Sequence, residues 1–158
     1  MEPRLVERKE MRVMGLKTRT NSQAESHPKT GKIRGLWDRF YDENVKSQIL
    51  NRMDPDVLLA VYSNYENDFL GNYDTLVGAQ VSEFGNIPPG LSSEILLPSK
   101  YLVFKAKGQM PKAVIETWKE IWVYFSNPKL PHRRAYTADF EWYHSAKSNE
   151  VDLFIAVK

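Results

Sequence analysis

Glu141 stands in the middle of an aromatic run, Tyr136-Thr137-Ala138-Asp139-Phe140-Glu141-Trp142-Tyr143-His144. The run reads as a β-strand, and successive side chains of a strand point to opposite faces. Glu141 therefore shares a face with Thr137, Asp139 and Tyr143, while Tyr136, Phe140 and Trp142 take the other. Aromatic rings supply apolar area and electron-rich faces. A carboxylate among them makes a seat for a large, flat cation. The competing reading of Glu141 is structural: a simple ion pair with a neighbour such as Arg133 or Lys147.

Other chemistries find less support. The chain has no cysteine, which excludes disulfides and thiolate metal sites. His27, His132 and His144 are scattered and lack H-x-x-x-H spacing, so no metal is expected. No G-x-S-x-G, P-loop or G-x-G-x-x-G occurs, and no cofactor is expected.

Two similar sets of elements must position these residues. Arg12 to Thr20 reads as a strand, followed by a polar loop and a helix whose apolar stripe is Ile33, Leu36, Trp37, Phe40 and Tyr41. Tyr101 to Gly108 reads as a second such strand, followed by Pro111 and a helix striped by Val114, Trp118, Ile121, Trp122 and Phe125. Trp37 matches Trp118, Phe40 matches Ile121 and Tyr41 matches Trp122. Two strands follow each helix: Val57 to Tyr65 and Tyr73 to Ser82, then Arg134 to His144 and Glu150 to Val157. Further strand material lies at Arg4 to Arg8 and Ser93 to Leu97.

The expected fold is α+β: a tandem β-α-β-β pseudo-repeat, with a curved antiparallel sheet and two long helices on one face, related by a pseudo-twofold axis. Such a pair of helices leaves a groove between them, and grooves of this kind are common ligand sites. An aromatic helix stripe is usually core. Rings as large as Trp and Tyr at equivalent positions suggest that part of each lines the groove, with Tyr41 and Trp122 favoured as walls and Trp37 and Trp118 as walls or anchors.

The totals agree with one domain. The 158 residues are 42% hydrophobic and 27% charged, the balance of an ordinary globular chain that can bury a core. Net charge is only +2, from 22 basic and 20 acidic side chains, and basic groups are nowhere concentrated, so no direct nucleic-acid partner is expected. The set His132-Arg133-Arg134 reads as solvated surface. Apolar runs such as Val57 to Val61 fall far short of the roughly 20 residues that span a bilayer. Met1-Glu2-Pro3-Arg4 lacks a signal peptide's apolar segment. No membrane contact and a cytoplasmic location are expected.

The pattern Asp139-Phe140-Glu141-x-Tyr143, then Glu150-Val151-Asp152-Leu153-Phe154-Ile155-Ala156-Val157-Lys158, resembles the end of the GyrI-like, or AraC-type, effector-binding domains. Gly35-Leu36-Trp37-Asp38-Arg39-Phe40, Tyr62-Ser63-Asn64-Tyr65 and Tyr101 to Gly108 fit the same family, in order and spacing. Ala156 stands where the family motif often has proline. The chain is also similar to stand-alone members carried on mobile gene cassettes.

The resemblance implies a single effector-binding domain over 1–158 without a DNA-binding domain. It further implies a domain that takes small organic cations or amphipathic drugs, and regulation of transcription in trans through a DNA-binding subunit. It maps the family's glutamate onto Glu141. The ligand-binding set is then Glu141 with Trp37, Phe40, Tyr41, Tyr62, Trp118, Trp122, Tyr143 and Phe154. Two alternatives follow from the same family. One is a hydrolase built on adjacent Glu141 and Trp142, with Glu141 as a general base, although neighbouring strand residues face opposite ways unless a bulge intervenes. The other is a protein-binding module of the gyrase-inhibitor type.

Overall fold

The computed structural model describes residues 2–68, 70–145 and 148–158. The strands are β1 (Arg4–Arg8), β2 (Met11–Asn21), β3 (Leu58–Ser63), β4 (Asn72–Val81), β5 (Ser92–Leu96), β6 (Ser99–Lys107), β7 (Ala138–Tyr143) and β8 (Glu150–Val157). The helices are α1 (Ser22–Glu25), α2 (Ile33–Asp42), α3 (Val45–Gln48) and α4 (Lys112–Phe125). The α+β tandem β-α-β-β architecture is the one expected. Two expected strands are shorter, for a local reason. Asn64 has φ 51° and Tyr136 has φ 52°, left-handed values that break an extended run. β3 therefore stops at Ser63, and β7 starts at Ala138, leaving Arg134 with only an isolated bridge to Val157. The single-turn α1 and α3 are too short to carry a periodic signal.

All strand pairings are antiparallel, in the order β1-β6-β8-β7-β3-β4-β2-β5. The order is its own mirror image about the β7–β3 junction: β2 answers β6, β4 answers β8, and β5 answers β1. β5 and β6 lie far apart in this order, yet only Leu97 and Pro98 join them in the chain. So short a link reaches roughly 10 Å, so the sheet must roll until its ends approach. Met11, Val13, Leu59, Val61, Leu76, Leu96, Tyr101, Phe140 and Phe154, drawn from strands across the sheet, pack in one cluster inside the roll.

The outer face carries two further clusters. Leu36 and Phe40 of α2 pack with Val45 and Ile49 on Met14, Leu16, Val77 and Ala79. Val114 and Ile121 of α4 pack on Leu102, Phe104, Leu153 and Ile155. The start of α2 is pinned by the Glu25 carboxylate, which accepts from the backbone N–H of Lys32 (2.8 Å) and Ile33 (3.2 Å). Among the described residues no helix is long and apolar enough to cross a membrane.

Gly15 and Gly78 face each other across the β2–β4 ladder. A Cβ at either would lie 2.0 Å from the Val77 carbonyl oxygen or 1.9 Å from that of Met14. The obstacle is backbone, which cannot rotate aside. Gly78→Ala is expected to lose at least the ~1–3 kcal/mol typical of an overpacked core. A urea unfolding midpoint equal to that of the parent would show that the strands can spread at no cost.

Candidate functional site

α2 packs over β2 and β4, and α4 over β6 and β8. The two central strands, β3 and β7, lie between the helices. On this face they present Tyr62, Glu141 and Tyr143. Glu141 is only 2% exposed. Its Oε2 accepts from the Tyr62 hydroxyl (2.8 Å) and the Trp118 indole N–H (2.7 Å), and its Oε1 accepts from the Tyr143 hydroxyl (2.6 Å). All three donors are neutral, and among the described residues no lysine or arginine pairs with this carboxylate. Burial pushes the Glu141 carboxyl above its ordinary value, and the three hydrogen bonds offset only part of that rise. The Tyr62 and Tyr143 phenols are held well above theirs, first by burial and then by the adjacent Glu141 charge, so both remain donors at neutral pH.

The site sits on the pseudo-twofold axis. The same spacing in the chain separates Trp37 from Trp118, Ala60 from Glu141 and Tyr62 from Tyr143. Ala60 and Glu141 also pair directly across the β3–β7 ladder. Each half thus sends one tyrosine to the carboxylate. The tryptophans differ: Trp118 bonds Glu141 and meets Tyr62 edge-on at 5.6 Å, whereas Trp37 meets Tyr143 edge-on at 5.3 Å. The buried Ala60 leaves one carboxylate on the axis rather than two that would repel.

The structure therefore brings Glu141, Tyr62, Tyr143 and Trp118 into direct contact, with Trp37 one ring away. Tyr41 (59% exposed) and Trp122 (44%) are open rings on the two helices, and Tyr41 stacks on Trp37 at 6.1 Å. The rings nearest the acid are thus Trp118 and Trp37 rather than Tyr41 and Trp122. Phe40 is buried in the core beneath α2. Phe154 departs from the expected grouping. It pairs with Phe140 across β7–β8 and stacks on it at 4.4 Å, so alternation puts it inside the roll, away from Glu141. Trp142 lies on that inner side too, with the Arg8 guanidinium 4.9 Å above its ring. Glu141 and Trp142 therefore do not converge on one site. Arg133 donates to the carbonyls of Pro128, Leu130 and Asn127 rather than to Glu141, and Lys147 lies outside the described residues.

Arg134, read above as solvated surface, is buried. Its Nη2 lies 2.7 Å from Asp139 Oδ2, and its guanidinium lies over the rings of Tyr136 (4.4 Å) and Trp118 (5.9 Å). The same oxygen of Asp139 accepts from the Tyr65 hydroxyl (2.5 Å), and Oδ1 accepts from the Ala156 N–H (2.8 Å). The signal of this network in the sequence was Asp139, the second acid of a strand otherwise made of Ala138, Phe140, Trp142 and Tyr143 beside Glu141.

Residues 4–157 match the family of integron-associated effector binding proteins. The chain belongs to that family. Among the relatives of this effector-binding chain is YobU of Bacillus subtilis, which carries the name of a transcriptional regulator; it is 34% identical over 154 residues, 93% of this chain and 92% of YobU. The integron cassette protein VCH_CASS2 of Vibrio cholerae is 35% identical and superposes with a TM-score of 0.84, over 99% of this chain and 95% of that one. SAV2435, solved with tetraphenylphosphonium bound, shares the fold at 23% identity and a TM-score of 0.80, over 100% of this chain and 94% of that one. The family is an effector-binding one.

Proposed function

We propose that the chain binds flat, lipophilic organic cations between α2 and α4, with Glu141 as the countercharge. The observation that carries this reading is a buried carboxylate, held by three neutral donors and paired with no lysine or arginine among the described residues. A charge so placed is costly unless paired, and a ligand cation would supply the pair. The half-buried Trp118 is the side chain that must swing off Oε2 to admit it. Its indole, with Trp37 and the exposed Tyr41 and Trp122, would then cover the ligand's apolar body. Recognition by charge and flatness tolerates many ligands. The tetraphenylphosphonium found on SAV2435 is a lipophilic cation whose four phenyl rings offer flat faces, although the ion as a whole is tetrahedral. Coupling to transcription through a separate DNA-binding partner is the biological role proposed, in keeping with the name that YobU carries.

The test is a titration with tetraphenylphosphonium, followed by tryptophan fluorescence across a pH series. A raised Glu141 value means that the free folded protein holds this proton more tightly than the unfolded chain. Stability of the free protein should therefore fall as pH rises from the ordinary value of 4.5 through the folded one. Cation binding has the opposite sign, because only the carboxylate pairs with the ligand. Affinity should rise through the same window and level off above it. Neutral triphenylphosphine oxide should bind more weakly and without this pH dependence. Equal binding of the two compounds at every pH would overturn the assignment.

A further inference from the structure

Arg8 carries a positive charge into the rolled sheet, on the opposite side from Glu141. Even positions of β1 turn inward: Val6 packs against the inner cluster, and Arg8 follows two residues later. The Arg8 guanidinium lies 4.9 Å over the ring of Trp142, 5.3 Å over Phe154 and 5.7 Å over Phe140. Electron-rich ring faces attract a cation but do not neutralise it.

This half-buried arginine has no countercharge. Among the described residues it forms no ion pair and no hydrogen bond. Burial holds its guanidinium below the ordinary value; the Tyr101 phenol opposes that shift, and no carboxylate among the described residues does. The acids on the strands around it have other partners. Asp74 meets Lys17 (3.5 Å) and Arg19 (3.1 Å), and Glu94 lies 3.9 Å from Lys17. Asp139 is taken by Arg134 (2.7 Å), and Asp152, beside Trp142 in the β7–β8 ladder, is bonded to His144 (2.9 Å).

Tyr101 links this charge to a space. Its ring meets Phe140 (5.2 Å) and Phe154 (5.9 Å) edge-on, the same two rings that lie beneath Arg8. Burial first and Asp139 second push its phenol up to about 12 against the opposing influence of Arg8, so it stays a donor. Neither its hydroxyl nor the Arg8 nitrogens are among the buried atoms without a partner, so these unbonded donors remain reachable. Tyr101 also lines a cavity of about 290 Å³, together with Leu97, Pro98 and Ser99, the last of which is the ladder partner of Arg8. A water occupies about 30 Å³ of liquid, so the cavity has room for a small organic body.

A guanidinium whose face rests on rings keeps its edge for a ligand. That edge is a planar fork which matches a carboxylate with two parallel hydrogen bonds. We propose that Arg8 and Tyr101 form a second ligand site, distinct from the groove at Glu141, for a small organic carboxylate. The carboxylate meets the open edge of Arg8 and accepts from the Tyr101 hydroxyl, and its apolar body enters the cavity against Leu97 and Pro98. One guanidinium supplies one charge and one fork, which suits a monoanion better than a phosphate. The two sites then differ in sign: the outer groove takes cations, and the inside of the roll takes an anion.

The probe is benzoate at pH 7, titrated into the ¹⁵N-labelled full chain. Saturable shifts are expected at the Trp142 indole N–H and at the backbone amides of Leu97, Ser99 and Tyr101. Benzamide, of the same shape but uncharged, and inorganic phosphate should each bind there at least tenfold more weakly. Arg8→Gln should weaken benzoate binding at least tenfold. Tyr101→Phe keeps the ring, removes the donor and should weaken it at least threefold. Should Arg8→Gln not fold, Arg8→Lys takes its place: it keeps the charge and loses the fork, and at least a threefold loss is expected. Glu141→Gln and saturating tetraphenylphosphonium should leave benzoate binding unchanged. No saturable shifts at these residues up to the solubility limit, undiminished affinity in any folded Arg8 or Tyr101 variant, or benzamide binding as tightly as benzoate would overturn the proposal. Phosphate binding as tightly as benzoate would overturn it too, by showing a site for anions at large. So would displacement of benzoate by tetraphenylphosphonium.

Discussion

Glu141→Gln should leave the protein folded and weaken tetraphenylphosphonium binding by ten- to a hundredfold. The magnitude comes from the charge alone. A hydrogen-bonded or charge-assisted contact in a dry site is worth about 1.5–3 kcal/mol, and each tenfold is about 1.4 kcal/mol. The glutamine is nearly isosteric. Its oxygen can accept from Tyr62 and Trp118, and its NH₂ can donate to the Tyr143 hydroxyl oxygen, so the three contacts seen at Glu141 survive in altered form. The free variant also escapes the cost of a buried charge and should be no less stable than the parent at pH 7. Triphenylphosphine oxide should bind both proteins equally, and the pH dependence of cation binding should vanish with the carboxylate. Parent-like affinity for tetraphenylphosphonium in a folded variant would mean that Glu141 is a structural acid.

Period-two alternation made part of this arrangement legible in advance. It put Glu141 and Tyr143 on one face, and their oxygens stand 2.6 Å apart. The helix stripes matched Trp37 to Trp118 and Tyr41 to Trp122, and each pair proves alike in burial. The pseudo-twofold sheet followed from the repeat itself. Phe154 was misplaced because its face depends on the β7–β8 register, which pairs it with Phe140. A register is set by a loop and by packing, and no single strand encodes it. The left-handed Tyr136 was equally hidden, since a tyrosine carries no preference for that conformation. Arg134 follows from that turn: the break before β7 lets its side chain fold in over Trp118 instead of continuing a strand toward solvent.

Asp139→Ala should be the most destabilising change near the site, costing about 3–5 kcal/mol in urea or thermal unfolding. Asp139 is fully buried and accepts from the Arg134 guanidinium, the Tyr65 hydroxyl and the Ala156 N–H. Removing it leaves three donors without an acceptor, one of them a buried cation whose Nε already lacks a partner. The uncompensated charge dominates, so the two partners should not behave additively. Arg134→Ala with Asp139→Ala should be less destabilised than the sum of the single changes, because no lone charge remains. Strict additivity would show that the pair contributes only packing. The pair also bears on function. The Arg134 guanidinium lies 5.9 Å over the ring of Trp118, the residue that caps Glu141. Its charge is spent on Asp139 at 2.7 Å. That commitment keeps a buried cation from serving as the counterion of Glu141, and on the proposed reading it leaves the carboxylate to be neutralised by a ligand.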